Sequence, residues 1–276
     1  MRLMLTVFAA LLLAGCAATQ DVELESRDIH VEQNAVPAAT GAGNDAMAGL
    51  VRASGPSYVT LTVSQVEDQG GGPAKDGRNE VAITSGSGFI VDSSGYVMTA
   101  AHVAVKKGYA VAARAANGRV YSGTVVDILP GNDMALIKLR GYMGKAVSPA
   151  ASQCVAAGSM VYSLGKPHAQ GDTARVGTLQ SMHFGHPVSY GKFGYPDAMV
   201  LHMGTQKGES GGPLFNQSGE LIGMVVSTLT DNDGNLLNLA HAVPAANLAK
   251  FLCSHVSCSG NWATLTTEST SACSAS

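Results

Sequence analysis

Short runs rich in Val, Ile, Leu, Thr and Tyr recur along most of this chain, cut apart by Gly, Asn and Asp at intervals of roughly ten residues. β-Branched and aromatic side chains suit a pleated, half-buried surface, and the pattern lacks the alternating helices that parallel strands need. The rhythm therefore predicts antiparallel β structure. In the first half, strands are expected at 58–66, 88–91, 96–100, 109–114, 120–128 and 135–139, with turns at Asp92-Ser-Ser-Gly95 and Asn117-Gly118. A second set is expected at 160–164, 174–182, 198–203, 221–227 and 236–243. Two comparable β halves thus follow one another. Only 244–251 reads as a helix, with Pro244 at its start and Leu248, Phe251 and Leu252 at helical spacing.

The flanks have a different character. Arg2, the apolar stretch 3–13 and the small residues Leu13-Ala14-Gly15 before Cys16 make an export signal too short to span a bilayer comfortably. The run Leu-Ala-Gly-Cys resembles the bacterial lipobox, which implies cleavage before Cys16 and diacylglycerol on its sulfur. Residues 1–15 are then a lipoprotein signal peptide and 16–50, polar and without a hydrophobic period, a flexible tether. The globular domain is expected at 51–255, its halves at about 51–141 and 155–251, followed by a Ser/Thr-rich tail at 256–276. Export places Cys154, Cys253, Cys258 and Cys273 in an oxidising compartment, where three disulfide pairings are open and Cys253 and Cys258 are near enough to close a small loop. Ala17, which is not an aspartate, permits outer-membrane delivery facing the periplasm by resemblance to Gram-negative sorting rules. With 46 % hydrophobic residues, 13 % charged residues and a formal net charge of −3, the chain is globular and has no basic excess for nucleic acid.

Ser210 lies in Lys207-Gly-Glu-Ser-Gly-Gly-Pro-Leu214, where glycines on both sides permit a tight turn that points backbone N–H groups into one space. A serine attacking a carbonyl needs that arrangement, because the tetrahedral intermediate carries an oxyanion that two such donors, those of Gly208 and Ser210, stabilise. Its hydroxyl also needs a base, and Thr99-Ala-Ala-His102 supplies an imidazole after an apolar strand. The carboxylate that orients such a base is found in Asn132-Asp-Met-Ala-Leu-Ile-Lys-Leu139, with Asp133 at the mouth of another apolar strand.

The three segments, in the order His, Asp, Ser, resemble the chymotrypsin-fold, trypsin-like serine peptidases. The resemblance runs from about 57 to 252, including Ser85-Gly-Ser-Gly-Phe-Ile-Val91 and Gly219-Glu-Leu-Ile-Gly-Met-Val225. Within that family the chain is most similar to the bacterial envelope Deg-type (HtrA-like) peptidases, which share the Ala242-Val-Pro-Ala-Ala-Asn-Leu stretch. The resemblance implies an all-β fold of two perpendicular six-stranded antiparallel β-barrels with a short C-terminal helix. His102 and Asp133 would come from the first barrel and Ser210 from the second. It implies a serine endopeptidase acting on protein or peptide substrates in the cell envelope, tethered to the membrane through Cys16; the alternative is a silent relative serving as a binding or scaffold lipoprotein. About two dozen residues follow Leu252, too few for the PDZ domain that Deg-type peptidases usually carry.

Glu209 stands where animal trypsin-like enzymes place an aspartate that pairs with a newly cut N-terminus, so proteolytic activation is not expected. The pocket before the scissile bond is expected from Gly204, Thr205, Gln206, Val226, Ser227, Thr228, Ala240 and His241. Gly204 brings no carboxylate to its base, which disfavours Lys and Arg. Thr205 and His241 suit polar or acidic side chains, and a small aliphatic preference is equally open. Ser227 is a candidate for holding Asp133, with Val226 the alternative occupant of that spot, and the role is assigned to neither. His183 and His186 have metal-like spacing but no partner set, so neither a metal nor another cofactor is expected. His168 is assigned to a loop and His202 to the core.

Overall fold

The computed structural model describes residues 30–33, 41–66, 80–142, 144–152, 154–168, 171–231 and 233–268; the signal segment and Cys16 lie outside them. In chain order the elements are β1 (His30–Gln33), α1 (Gly41–Ser54), β2 (Tyr58–Val66), β3 (Glu80–Asp92), β4 (Tyr96–Thr99), the single-turn α2 (Ala101–Ala104), β5 (Ala110–Ala115), β6 (Val120–Leu129) and β7 (Met134–Leu139). There follow β8 (Met160–Gly165), β9 (Thr173–Ser181), β10 (Val188–Tyr190), β11 (Phe193–Tyr195), β12 (Met199–His202), β13 (Pro213–Asn216), β14 (Leu221–Thr230), β15 (Leu236–Pro244), α3 (Ala245–Cys253) and α4 (Gly260–Leu265).

The first half closes into a six-stranded barrel in the order β2-β3-β4-β7-β6-β5, every pairing antiparallel. Period-two alternation sets the register: Val111, Ala113 and Ala115 of β5 are buried while Ala112 and Arg114 face out. At Asp92-Ser-Ser-Gly95 the Asp92 side chain accepts the Ser94 N–H, so the turn residues close their own hairpin. The second half closes as β8-β9-β12-β15-β14-β13, again antiparallel, with the ring sealed where β8 pairs both β9 and β13. The expected pair of six-stranded barrels is present, and the expected strands fall within it.

The differences have physical reasons. β3 starts eight residues before the expected 88, because its Ser, Gly and Thr positions dilute the apolar pattern while their backbones still pair with β2. β13 is only four residues long and directly follows the Gly211-Gly212 turn, so no run of strand formers announces it. The stretch read as spacer holds β1, which joins the edge of β9 in parallel, and α1, whose Met47 and Val51 are buried against the body. Gly-, Ala- and Asn-rich composition hid that helix. In the stretch read as tail, α4 buries Trp262 and Leu265. Pro244 caps α3 from outside, since its extended backbone (ψ 149°) has not yet entered the helix. Cys253 and Cys258 form a disulfide with Cα atoms 5.4 Å apart, and Cys154 is disulfide-bonded too. His202, expected in the core, is exposed at the end of β12.

Both ends of the peptidase-like body cross between barrels. Ser54 at the end of α1 hydrogen-bonds the Tyr162 hydroxyl of β8 at 2.8 Å, and Tyr58 of β2 donates to Asp172 at 3.2 Å. From the other end, His255 after α3 donates to Asp127 of β6 at 2.9 Å, which holds the Asp127 carboxyl below its ordinary value.

Candidate active site

β4 ends at Thr99, and the chain turns through Ala100 into α2, so His102 leaves the first barrel at its rim. Ala100 and Ala101 are fully buried, and their small side chains leave room for the imidazole. On the neighbouring β7, Asp133 precedes the strand in a left-handed conformation (φ 47°), which aspartate tolerates better than most residues. Its carboxylate is fully buried. One oxygen accepts the His102 backbone N–H at 3.0 Å and the other lies 2.8 Å from His102 Nδ1. An ionised carboxylate only accepts, so Nδ1 carries the proton and Nε2 keeps its lone pair.

Tyr190, at the end of β10, donates its hydroxyl to the same Asp133 oxygen. Burial first, and the nearby Asp133 charge second, push the Tyr190 phenol far above its ordinary value, so it remains a donor. The β10–β11 hairpin also sets the rings of Tyr190 and Phe193 edge-on to His102, at 5.8 and 6.3 Å between centroids. Sequence reasoning weighed Ser227 for the carboxylate-holding role, with Val226 as the alternative occupant of that spot, and assigned it to neither. Ser227 instead bonds the Tyr195 hydroxyl at 2.8 Å, and Val226 brings only a backbone carbonyl to the cleft. The signal for Tyr190 was the aromatic and glycine alternation in Val188-Ser-Tyr-Gly-Lys-Phe-Gly-Tyr195.

Ser210 lies on the turn between β12 and β13. Gly208 and Gly211 adopt φ values of +99° and +84°, which side-chain-bearing residues avoid; a β-carbon at Gly211 would also strike the Thr99 hydroxyl and the Ser87 carbonyl. Four bonds fix the turn. The Ser87 hydroxyl donates to Gly208 O at 2.8 Å, Ser87 N–H to Ser210 O at 2.9 Å, His168 N–H to Lys207 O at 3.0 Å and Gly211 N–H to Val225 O at 2.8 Å. In a trans peptide the C=O and N–H point opposite ways, so tying the Lys207 carbonyl to His168 turns the Gly208 N–H towards the other side. Among the described residues neither the Gly208 nor the Ser210 N–H has an acceptor. The Ser210 hydroxyl donates to Val226 O at 3.2 Å, and His102 Nε2 has no hydrogen-bond partner among the described residues.

Glu209, between those two donors, is buried and pairs with buried Arg175 of β9 at 2.8 Å, while its second oxygen accepts the Gln206 N–H at 2.8 Å. An internal arginine thus neutralises the carboxylate beside Ser210. Arg175 escaped the sequence reading because a lone charge inside a strand pattern reads as a solvent-facing position.

Of the residues expected to line the pocket, Thr205, Thr228 and Ala240 are brought together. Thr205, buried beside Gly204, bonds Thr228 hydroxyl to hydroxyl at 2.7 Å, which ties the two walls. Ala240 sits opposite Thr228 on β15, and Gln206 stays at the rim, half-buried. Behind them His241 is fully buried, its Nδ1 2.8 Å from the Tyr195 hydroxyl and its ring 4.4 Å from that of Phe184. Burial lowers the His241 pKa and raises the Tyr195 phenol to about 12. His183 has a structural engagement, with Nδ1 2.6 Å from Asp197, whose other oxygen accepts the N–H groups of Phe184, Gly185 and Ala198. Although burial raises the Asp197 pKa, these bonds leave it lowered overall.

A family model described as a trypsin-like peptidase domain matches residues 86–224, just over half of the chain. The chain is 31 % identical over 191 residues to the periplasmic serine endoprotease DegP of Salmonella typhimurium, covering 68 % of this chain and 38 % of that protein. It is 30 % identical over 177 residues to the serine protease HTRA1 of Xenopus tropicalis, covering 63 % of this chain and 37 % of that one. The chain therefore spans less than two fifths of the length of either relative. Among solved structures it resembles the Rv3671c protease in its inactive form, at TM-score 0.60 and 23 % identity, covering 79 % of this chain and 98 % of that one. It also resembles the HtrA-type protease AlgW with decapeptide, at TM-score 0.62 and 20 % identity, covering 75 % of this chain and 66 % of the other. At those identities the likeness to solved structures is one of fold.

Proposed function

Because the chain belongs to the trypsin-like peptidase family, we propose that it is a serine endopeptidase of the HtrA/Deg type that hydrolyses peptide bonds of cell-envelope proteins. The observation that carries this reading is the Lys207–Gly211 turn, which leaves two N–H groups without acceptors among the described residues beside a serine, in a cleft shared with a carboxylate-held imidazole. His102 Nε2 takes the Ser210 proton as the hydroxyl leaves the Val226 carbonyl and attacks the scissile carbonyl. The Gly208 and Ser210 N–H groups receive the oxyanion, and the imidazolium, stabilised by Asp133, returns the proton to the leaving amine. Water then repeats the cycle on the acyl-enzyme.

The Thr205–Thr228 bond engages both hydroxyls with each other, and neither Lys nor Arg is among the residues assigned to this pocket, so a small aliphatic side chain is proposed before the scissile bond. Cys16 carries the lipid and holds the enzyme at the outer membrane, facing the periplasm; the relative from Salmonella typhimurium is named as periplasmic.

Labelling by a fluorophosphonate probe tests the central assignment. Wild-type protein is expected to label and Ser210→Ala not to; equal labelling of both removes Ser210 as the nucleophile. A silent, binding-only reading draws on the Ser210 hydroxyl resting on Val226. Labelling without turnover of unfolded protein or of any peptide in a diverse library would favour it.

A further inference from the structure

Ser210 is held between two walls. Val226 of β14 receives its hydroxyl, and Ser87 of β3 donates to its carbonyl. The Thr205–Thr228 pocket adjoins the first wall. The second wall continues into Gly86, packed against the Ser210 carbonyl, and Ser85, and there a separate cavity of about 190 Å³ opens on the outer face of the first barrel. Its floor is small and neutral, with Thr62 of β2 and Ala112 of β5. Its sides carry Arg114, Lys166 and His168.

His168 joins this cavity to the chemistry. Its backbone N–H holds the Lys207 carbonyl, its ring lies where a β-carbon on Gly208 would strike it, and its Nε2 is 3.2 Å from the Ser85 hydroxyl. Among the described residues no carboxylate lines the cavity, and neither Arg114 nor Lys166 has an ion-pair partner. Two uncompensated cations beside a neutral trough set up a field that favours a carboxylate. A substrate whose acyl side chain sits at Thr205 and Thr228 carries its leaving segment over the opposite wall, and an extended chain advancing roughly 3.3 Å per residue enters the cavity within its first few residues.

Resting on the peptidase reading above, we propose that this cavity binds the leaving half of the substrate and selects a carboxylate within a few residues after the scissile bond. That carboxylate comes from an acidic side chain or from the substrate's own C-terminus; the chemistry at Arg114 and Lys166 is the same.

The test uses quenched fluorescent peptides sharing one residue before the cut and differing after it: alanines, one Asp or Glu placed at each of three positions in turn, and the alanine peptide with a free or an amidated terminus. The acidic or free-terminus peptides are expected to show kcat/KM about three- to tenfold above the neutral amide, with the ratio falling as salt rises, as befits exposed charges. Arg114→Ala with Lys166→Ala should bring the ratio towards one, and Arg114→Glu with Lys166→Glu should bring it below one. Ratios within each variant cancel any general loss of active protein. A gain from an internal Asp or Glu assigns the side chain as the source; a gain only from the free terminus assigns the terminus. Ser210-dependent cleavage with a wild-type ratio of one, or a ratio unmoved in the double variant, overturns this proposal and leaves the peptidase reading intact. Absence of Ser210-dependent cleavage of every peptide overturns both.

Discussion

Asp133 is fully buried, and its second oxygen is shared by two donors, His102 Nδ1 and the Tyr190 hydroxyl. A bond to a charged acceptor contributes about 1.5–3 kcal/mol, and removing the donor leaves Asp133 less well held against the imidazole. Tyr190→Phe is therefore expected to lower kcat about tenfold with little change in KM, since Tyr190 is argued to act through Asp133; steady-state kinetics on one peptide separates the two. His241 makes a different kind of prediction. Its folded pKa lies below the ordinary 6.5, so the unfolded chain binds the proton more readily. The stability it lends is complete above the unfolded value and declines as pH falls through the lowered folded one. Melting temperatures taken from neutral to mildly acidic pH should fall more steeply for wild type than for His241→Phe; parallel slopes would remove His241 as the acid-sensitive group. Ser210, His102 and Asp133, the proposed nucleophile, base and carboxylate, could be picked out because each sits in a local motif. Tyr190, Tyr195 and Arg175 could not, because their partners are 57, 46 and 34 residues away along the chain.

β9 links the Lys207–Gly211 turn, the proposed oxyanion site, to the rest of the second barrel through an ion pair. Arg175 and Glu209 are both buried, so removing the arginine strands a carboxylate in an apolar setting, at a cost of roughly 3–5 kcal/mol. Arg175→Met should lower the melting temperature and depress kcat, as Glu209 lies between the two residues whose N–H groups are assigned to the oxyanion. Adding Glu209→Met should recover most of the stability but not kcat, because the Gln206 N–H then loses its acceptor. Recovery of both would make the pair a packing feature only. Strand-level structure was legible wherever apolar side chains alternate, as in β2, whose expected bounds of 58–66 are the observed ones. It failed where tertiary pairing does the work: β1 has its place only because β9 has a free edge, and β13 because β8 and β14 flank it.

The proposed triad spans two barrels, so its geometry depends on how rigidly they are joined. α1 precedes the first barrel yet bonds Tyr162 in the second, its Leu50 within contact range of Gly219; the segment after α3 follows the second barrel yet bonds Asp127 in the first. Each barrel is thereby strapped by the other's terminal segment. Burying Met47 and Val51 contributes about 1.5–3 kcal/mol apiece, enough to couple the two bodies. A chain starting at Gly55 keeps both barrels and all three triad residues but loses the α1 strap. Without that strap the two barrels are expected to unfold in separate calorimetric steps, and kcat on a small peptide to fall while the probe still reaches Ser210. If α1 were only a spacer, the shortened chain would keep one transition, the same midpoint and the same kcat.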